Sequence, residues 1–360
     1  MARTTRTLVA LACLATALSG CAGPSTHPLP TSAPVDALIL YDWPDDLPQS
    51  VLSAFTAETG IAITYRTYSS MEEAVDNLEA GHSFDVVNLD NRFIPGLIAG
   101  GFLARLDPLR LPNLKNISPN FRDLIYDPGN RYTVPYNWGT TGLVVRADLV
   151  SPPVHLWADL WDSAFAGRLA LYQSQPREVL ALALKSLGFS ANSEHPQELE
   201  AAQARLQQLA PRVHWIKTDV DDLATQLSSG DVLVGMGYAG DVLLSRERGL
   251  TVTYVLPDEG ALLWGENLVI PANAAHREAA LRFLDFVLRP EVAAEIADQN
   301  FYATSNEAAL PLIAPEVRTD PVIFPPNTAL RNAEIILPLS PAGQTLYDRV
   351  WSAVMSAATP

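Results

Sequence analysis

Cysteine is nearly missing from this chain of 360 residues: there are two, Cys13 and Cys21, and none follows. Whatever folds beyond residue 21 is held by its core and not by disulfides, and a catalytic cysteine or a thiolate metal site is excluded. Positive charge is scarce as well. Lys and Arg number 24 against 40 Asp and Glu, a formal net charge of −16. Such a field disfavours nucleic acid and anionic membranes as partners and favours cations. The six histidines, at 27, 82, 155, 195, 214 and 276, show no H-E-x-x-H or other ligand spacing, and no G-x-S-x-G elbow occurs. No metal and no cofactor is expected. The apolar run "TLVALACLATAL", Thr7 to Leu18, is too short to cross a membrane as a stable helix.

That run is a targeting segment. Arg3 and Arg6 supply the positive region before it, and its length suits a signal peptide. It ends in Leu18-Ser19-Gly20-Cys21, which resembles the lipobox of bacterial lipoproteins. The resemblance implies a signal peptide over 1–20, cleavage before Cys21, lipid on the Cys21 thiol and amine, and export to the periplasm or the cell surface on a membrane anchor. The next stretch, 21–35, carries Pro24, Pro28, Pro30 and Pro34 among small polar residues. In polyproline II, at about 3.1 Å per residue, this tether reaches roughly 40 Å.

From Ala37 onward strands and helices alternate, the pattern of α/β layers. "ALILY" reads as a buried strand, and Gln49 to Thr59 as a helix ended by Gly60. "IAITYRTY" and "FDVVNL" are strands, with a helix from Ser69 or Ser70 to about Ala80 between them. Later come the strands "GRLALY", "VLVGMGY" and "LTVTYVL", helices from Arg177 and Pro196, and the amphipathic stretch 277–289 with Pro290 opening another helix. Two extended segments, 132–145 and 262–271, read as crossings between domains. The expected architecture is two-lobed: residues 36–141 plus 265–310 form one lobe and 142–264 plus 311–360 the other. Each is a β-sheet flanked by helices, with a ligand cleft between them.

"GMGYAG" matches G-x-G-x-x-G through Gly235, Gly237 and Gly240. Asp241 argues against a nucleotide there, because a carboxylate in the first turn repels a pyrophosphate from the helix end. Four other features point one way. "YDWPDD" holds Trp43 and Asp45, "QPREV" holds Glu178, "GYAGDV" holds Tyr238 and Asp241, and "LWGEN" holds Trp264 and Glu266. Each puts a carboxylate, three of them beside an aromatic ring, at a strand end or helix start. Taken singly, a ring there suits a core and an acid suits a helix N-terminus. The agreement among four favours a site. A glutamate between Leu263 and Leu268 is costly without a cationic partner.

These segments carry a resemblance to the periplasmic polyamine-binding proteins, the spermidine/putrescine-type solute-binding components of ABC transporters. "YDWPDDLPQSVLSAFTAETGIAITY" is similar to that family's opening, "YTVPYNWGTTGLVV" to its crossover strand, and "WADLWDSAFAGRLAL" and "LVIPANAAHREAALRFLDFVLRPEVAAEIA" to later segments. The resemblance implies a two-lobed fold closing on a polyamine, with Trp43, Tyr238 and Trp264 as rings and Asp45, Glu178, Asp241 and Glu266 as acids. It also implies an ABC permease as partner, no enzymatic activity, and a monomer. Departures fall at Leu89, aligned with a family serine, at Asp46 for a tyrosine, at Gln175 for an acid, and at Ile336 for a glutamine. Asp46, Asp90 and Gln175 are further candidates for the ligand.

The chemistry suits such a ligand. Methylenes lie between rings, each ammonium gains about 0.5–2 kcal/mol on a ring face, and carboxylates fix the ends. Three alternatives remain at this level. An amino acid would set its α-carboxylate on Arg92 or Arg177; a secreted hydrolase would use a carboxylate pair; an interaction lipoprotein would keep only a degenerate cleft.

Overall fold

Strand and helix do alternate as expected. The computed structural model describes residues 37–217 and 222–358; the leader, the tether and Cys21 lie outside the described residues. The first run is β1 (Ala37–Asp42), α1 (Gln49–Thr59), β2 (Ala62–Thr67), α2 (Met71–Glu79), β3 (Val86–Asp90) and α3 (Ile94–Ala99). A fourteen-residue strand, β4 (Thr133–Arg146), leads into the second run. This comprises β5 (Leu169–Tyr172), α4 (Pro176–Lys185), α5 (Pro196–Leu209), β6 (Val213–Ile216), α6 (Leu223–Ser229), β7 (Val234–Gly237), α7 (Ala239–Glu247) and β8 (Val252–Val255). Then β9 (Leu262–Val269) precedes α8 (Arg277–Val287) and α9 (Pro290–Asn300). The chain closes with β10 (Ala303–Thr304), α10 (Pro315–Arg318), β11 (Glu334–Ile335) and α11 (Pro341–Ala358).

Local chemistry sets the ends. Gly60 stops α1 in a left-handed conformation, φ 73°, that a residue with a Cβ adopts only at a cost. Ser70 caps α2 by accepting the Glu73 N–H at 3.1 Å, while the Glu73 carboxylate takes the Ser69 N–H at 2.9 Å. Proline at the first position, where no amide bond is lost, opens α4, α5 and α9.

The strand order is β2-β1-β3-β9-β4-β7-β5-β6. At each flank the pairing is parallel: β1 with β2 and β3, and β5 with β6 and β7. The two central strands run antiparallel to each other. Residues Thr133 to Thr141 of β4 pair with β9, and Gly142 to Val145 pair with β7. The last part of β9, Glu266 to Val269, pairs with β3. The two segments read as crossings are therefore the strands through which both halves of the sheet connect. The ladder slips between Pro135 and Trp138, where proline offers no N–H.

Each half has its own core. Phe55 packs edge-on against Phe283 and Phe286, with Leu40, Leu284 and Ile296 in the same cluster. On the other side Trp157, Leu143, Leu180 and Leu206 join Tyr347, Val350 and Val354 of α11. Phe283 is wholly buried, and truncating such a ring to alanine costs about 3–5 kcal/mol. The segment after Asn300 divides its contacts. Ile313, Val317 and Ile323 pack with Ala293 and Ala297 of α9, whereas Ile336 enters the Trp157 core.

Candidate binding cleft

A cavity of about 610 Å³ opens between the two halves, lined by the segment after β1, the ends of β3 and β5, β9, the starts of α2, α4 and α7, and the end of α9. The sites read from sequence converge there. Trp43, Asp45, Glu178, Tyr238, Asp241, Trp264 and Glu266 all line it, and so do Asp46, Asp90 and Gln175. The reason is topological: strand ends of both parallel flanks face the space beside the crossing strands.

Glu266 alternates with Gly265 along β9, so it shares a face with Trp264. Its Oε1 accepts the indole N–H of Trp43 at 2.8 Å, and its Oε2 accepts the Asn88 side-chain amide at 3.0 Å. Asn88 also donates to Asp42 Oδ1 at 2.9 Å. Among the described residues no cation offsets this group. Burial and the nearby Asp46 push Glu266 up to about 8, against the lowering pull of Asn88 and Trp43. Asp42, buried behind it, is held well above the carboxylate range by burial, Asp46 and Glu266. Asp46 itself is raised to about 6 by burial, and accepts bonds from Asn137 and Asn300 at 3.3 Å each. One oxygen on each of Asp42 and Asp46 is buried without a hydrogen bond. Asp45, in contrast, is exposed at the rim with a positive φ of 59°.

The opposite wall repeats the arrangement. Asp241 sits in the first turn of α7, accepting the Tyr172 hydroxyl at 2.7 Å and the Tyr238 N–H at 2.8 Å. Burial raises it to about 6. Glu178, in the first turn of α4, accepts the hydroxyls of Tyr238 at 2.9 Å and Thr141 at 3.0 Å. It is also raised by burial, with Arg92 opposing. Aromatic rings stand at both walls. Trp264 meets Tyr302 edge-on at 5.2 Å and Tyr238 at 6.5 Å, while Trp43 meets Tyr68 at 4.6 Å.

Two glycines of "GMGYAG" serve packing, while the third, Gly240, lines the cavity. A side chain at Gly235 or Gly237 would collide with Leu223, and Gly237 also faces Asp241 Oδ2. Two departures from the family pattern fall outside the cavity lining. Leu89 is fully buried in the core with Met71 and Ile94, because on β3 it points away from the face that Asn88 and Asp90 share. Ile336 is buried in the other core. Arg177 is likewise absent from the lining. It donates to Ala191 O at 3.0 Å, the Tyr347 hydroxyl at 2.8 Å and Asn192 Oδ1 at 3.0 Å, so it neither faces a ligand nor holds Glu178. Gln175, Asp46 and Arg92 do line the cavity.

Sequence reasoning missed several residues: Asp42 and Asn88 behind Glu266, and Tyr172, Tyr302 and Asn300 on the walls. Asp42 lies within "YDWPDD" and Asn88 within "FDVVNL", but neither is singled out there. Asn300 ends α9 and Tyr302 follows it, far in sequence from the other segments, and nothing local marks them.

The model of the family described as bacterial extracellular solute-binding protein matches residues 50–325. The spermidine/putrescine-binding periplasmic protein of Escherichia coli K12 is 36% identical over 302 residues, covering 83% of this chain and 86% of its own. The putrescine/agmatine-binding protein of Pseudomonas aeruginosa is 33% identical over 336 residues, covering 88% and 90%. Among solved structures, the spermidine/putrescine ABC transporter substrate-binding protein PotD of Streptococcus pneumoniae superposes with a TM-score of 0.80 at 29% identity, over 90% of this chain and 100% of that one. On fold, sequence match and coverage together, the chain belongs to the bacterial extracellular solute-binding protein family.

Proposed function

We propose that the protein is the substrate-binding component of an ABC transporter and that the cleft captures a polyamine of the putrescine/spermidine type for a membrane permease. One observation carries the reading: buried, mutually repelling carboxylates, Glu266 with Asp46 and Asp42, stand among indole and phenol rings with no cation of the described residues against them. A carboxylate raised this far is waiting for positive charge. An ammonium supplies it, and the rings take the methylenes.

The site then has defined parts. Glu266, Asp45 and Asp46 with Trp43 and Trp264 hold one end of the chain. Asp241, Glu178 and Tyr238 hold the other, with Asp90 and Gln175 at the margin. The lobes, 36–141 plus 265–310 and 142–264 plus 311–360, close by bending where β4 and β9 cross, and cation binding favours the closed form. Export and lipidation at Cys21 would keep the protein at a membrane surface beside its permease, as a monomer without enzymatic activity.

Isothermal titration calorimetry of the chain from Asp36 against putrescine, cadaverine, spermidine, spermine and a basic amino acid tests this. Micromolar or tighter binding of one amine at unit stoichiometry is expected. Silence across the amines overturns the reading.

A further inference from the structure

Among the described residues, one basic side chain lines the acidic cleft. Arg92 follows β3 and lies in the same cavity as Glu72, Asp90, Gln175 and Glu178. Its side chain is 14% exposed and its Nε stands 3.6 Å from Asp90 Oδ1. The same Asp90 oxygen accepts the Arg92 backbone N–H at 2.8 Å, which holds the carboxylate beside the guanidinium. Arg92 Nε is buried without a hydrogen bond. The contact is thus Coulombic, not a locked fork, and the guanidinium field extends to Glu178 and Glu72 as well. The carboxylates near Trp43 have no such companion among the described residues.

We infer that Arg92 is a specificity-determining residue: it stands as the protein's own cation in the corner it shares with Asp90, so the cleft accepts two ammonium groups and rejects a third. This rests on the polyamine reading above and deepens it. The two remaining acidic positions, Glu266 with Asp46, and Asp241 with Glu178 beside Tyr172 and Tyr238, each take one ammonium. A longer triamine must thrust its extra charge at Arg92, and like charges at contact distance in a partly desolvated site repel strongly. The corner does not welcome an anion either. Asp90 already stands 3.6 Å from the guanidinium, so a ligand carboxylate placed there would have to displace it. Gln175, uncharged in the same corner, adds nothing to attract a third ammonium.

Calorimetric titration of the wild-type chain from Asp36 and of Arg92→Gln, with putrescine, spermidine and γ-aminobutyrate as probes, tests the inference. Wild type is expected to bind putrescine at least tenfold tighter than spermidine. In Arg92→Gln that ratio falls at least tenfold or inverts, while Arg92→Lys, which keeps the charge, retains the preference. Thermal melts of each variant separate altered specificity from lost folding. Equal ratios in wild type and a folded Arg92→Gln overturn the inference and leave the polyamine reading standing. Failure of wild type to bind any amine overturns both. Tight binding of γ-aminobutyrate that Arg92→Gln abolishes would make Arg92 an anion receptor and overturn its role as a built-in cation that excludes a third ammonium.

Discussion

Trp43 donates its indole N–H to Glu266 Oε1 across 2.8 Å, joining residues 223 positions apart. The bond ties the end of β1 to the crossing strand β9, and it gives the most perturbed acid facing the cavity a fixed orientation. On the proposed polyamine reading, one indole presents a ring to the ligand and steadies the carboxylate that receives its charge.

Removing the charge at that position should separate binding from folding. Glu266→Gln keeps an oxygen that can accept the Trp43 bond but cannot pair with an ammonium as an anion. Polyamine affinity should fall at least tenfold, about 1.4 kcal/mol, while the unliganded protein melts no lower than wild type. Calorimetry and a thermal melt check the two halves; unchanged affinity would remove Glu266 from the site.

The two functions of Trp43 can be split. Trp43→Phe keeps a ring and removes the N–H, one of the bonds that pull Glu266 downward. Glu266 should then titrate at still higher pH, and the pH at which ligand affinity is half-developed should move up with it. Trp43→Ala should lose the ring face as well and weaken binding further, by about another 0.5–2 kcal/mol. Titrations across pH 6–9 for the two variants distinguish the contributions.

Unliganded stability should depend on pH in a definite direction. Glu266 at about 8, with Asp46 and Asp241 at about 6, bind protons more tightly folded than unfolded. Their stabilising effect is fully present below the ordinary carboxylate values, near 4, and is lost as pH rises through 6 and then 8. The melting temperature of the empty protein should therefore decline from about pH 5 to pH 8. Ligand reverses the preference, since a bound cation favours the ionised acids. Polyamine affinity should rise over the same interval, and binding at pH 7 should release protons. Titrations in two buffers of different ionisation enthalpy would measure that release. A flat profile would contradict the acidic cluster's role.

A residue outside the cavity lining should also affect binding. Gly139 pairs with Trp264 between β4 and β9, and a Cβ there would collide with the Trp264 ring. Gly139→Ala should push that indole into the cleft and weaken polyamine binding severalfold or more, with most of the fold's stability kept. Tryptophan fluorescence of the empty and loaded protein would report the displaced ring.

The helices and strands were legible because their causes are local. Gly60 in its left-handed conformation, the Ser70 cap and the helix-opening prolines at 176, 196 and 290 act within a turn, and alternation of apolar residues sets which face is buried. The acids and rings at 43, 45, 178, 238, 241, 264 and 266 also stood out, because four segments agree in placing a carboxylate at a strand end or helix start, although each alone suits an ordinary core or helix terminus. What no segment carries is which of these groups meet. The Trp43–Glu266 bond, the Asn88 bridge to Asp42, and the approach of Tyr302 to Trp264 depend on strands β1, β3, β4 and β9 lying side by side. Leu89 is instructive: it matches a family position in sequence, yet one step along β3 turns it into the core and leaves Asn88 and Asp90 on the other face. Residue order was enough to indicate the fold class and the chemistry of the groups available to a ligand. That Arg177 is sequestered while Arg92 faces the acids was settled by packing in three dimensions, because burial and charge pairing depend on distances that the order of residues does not contain.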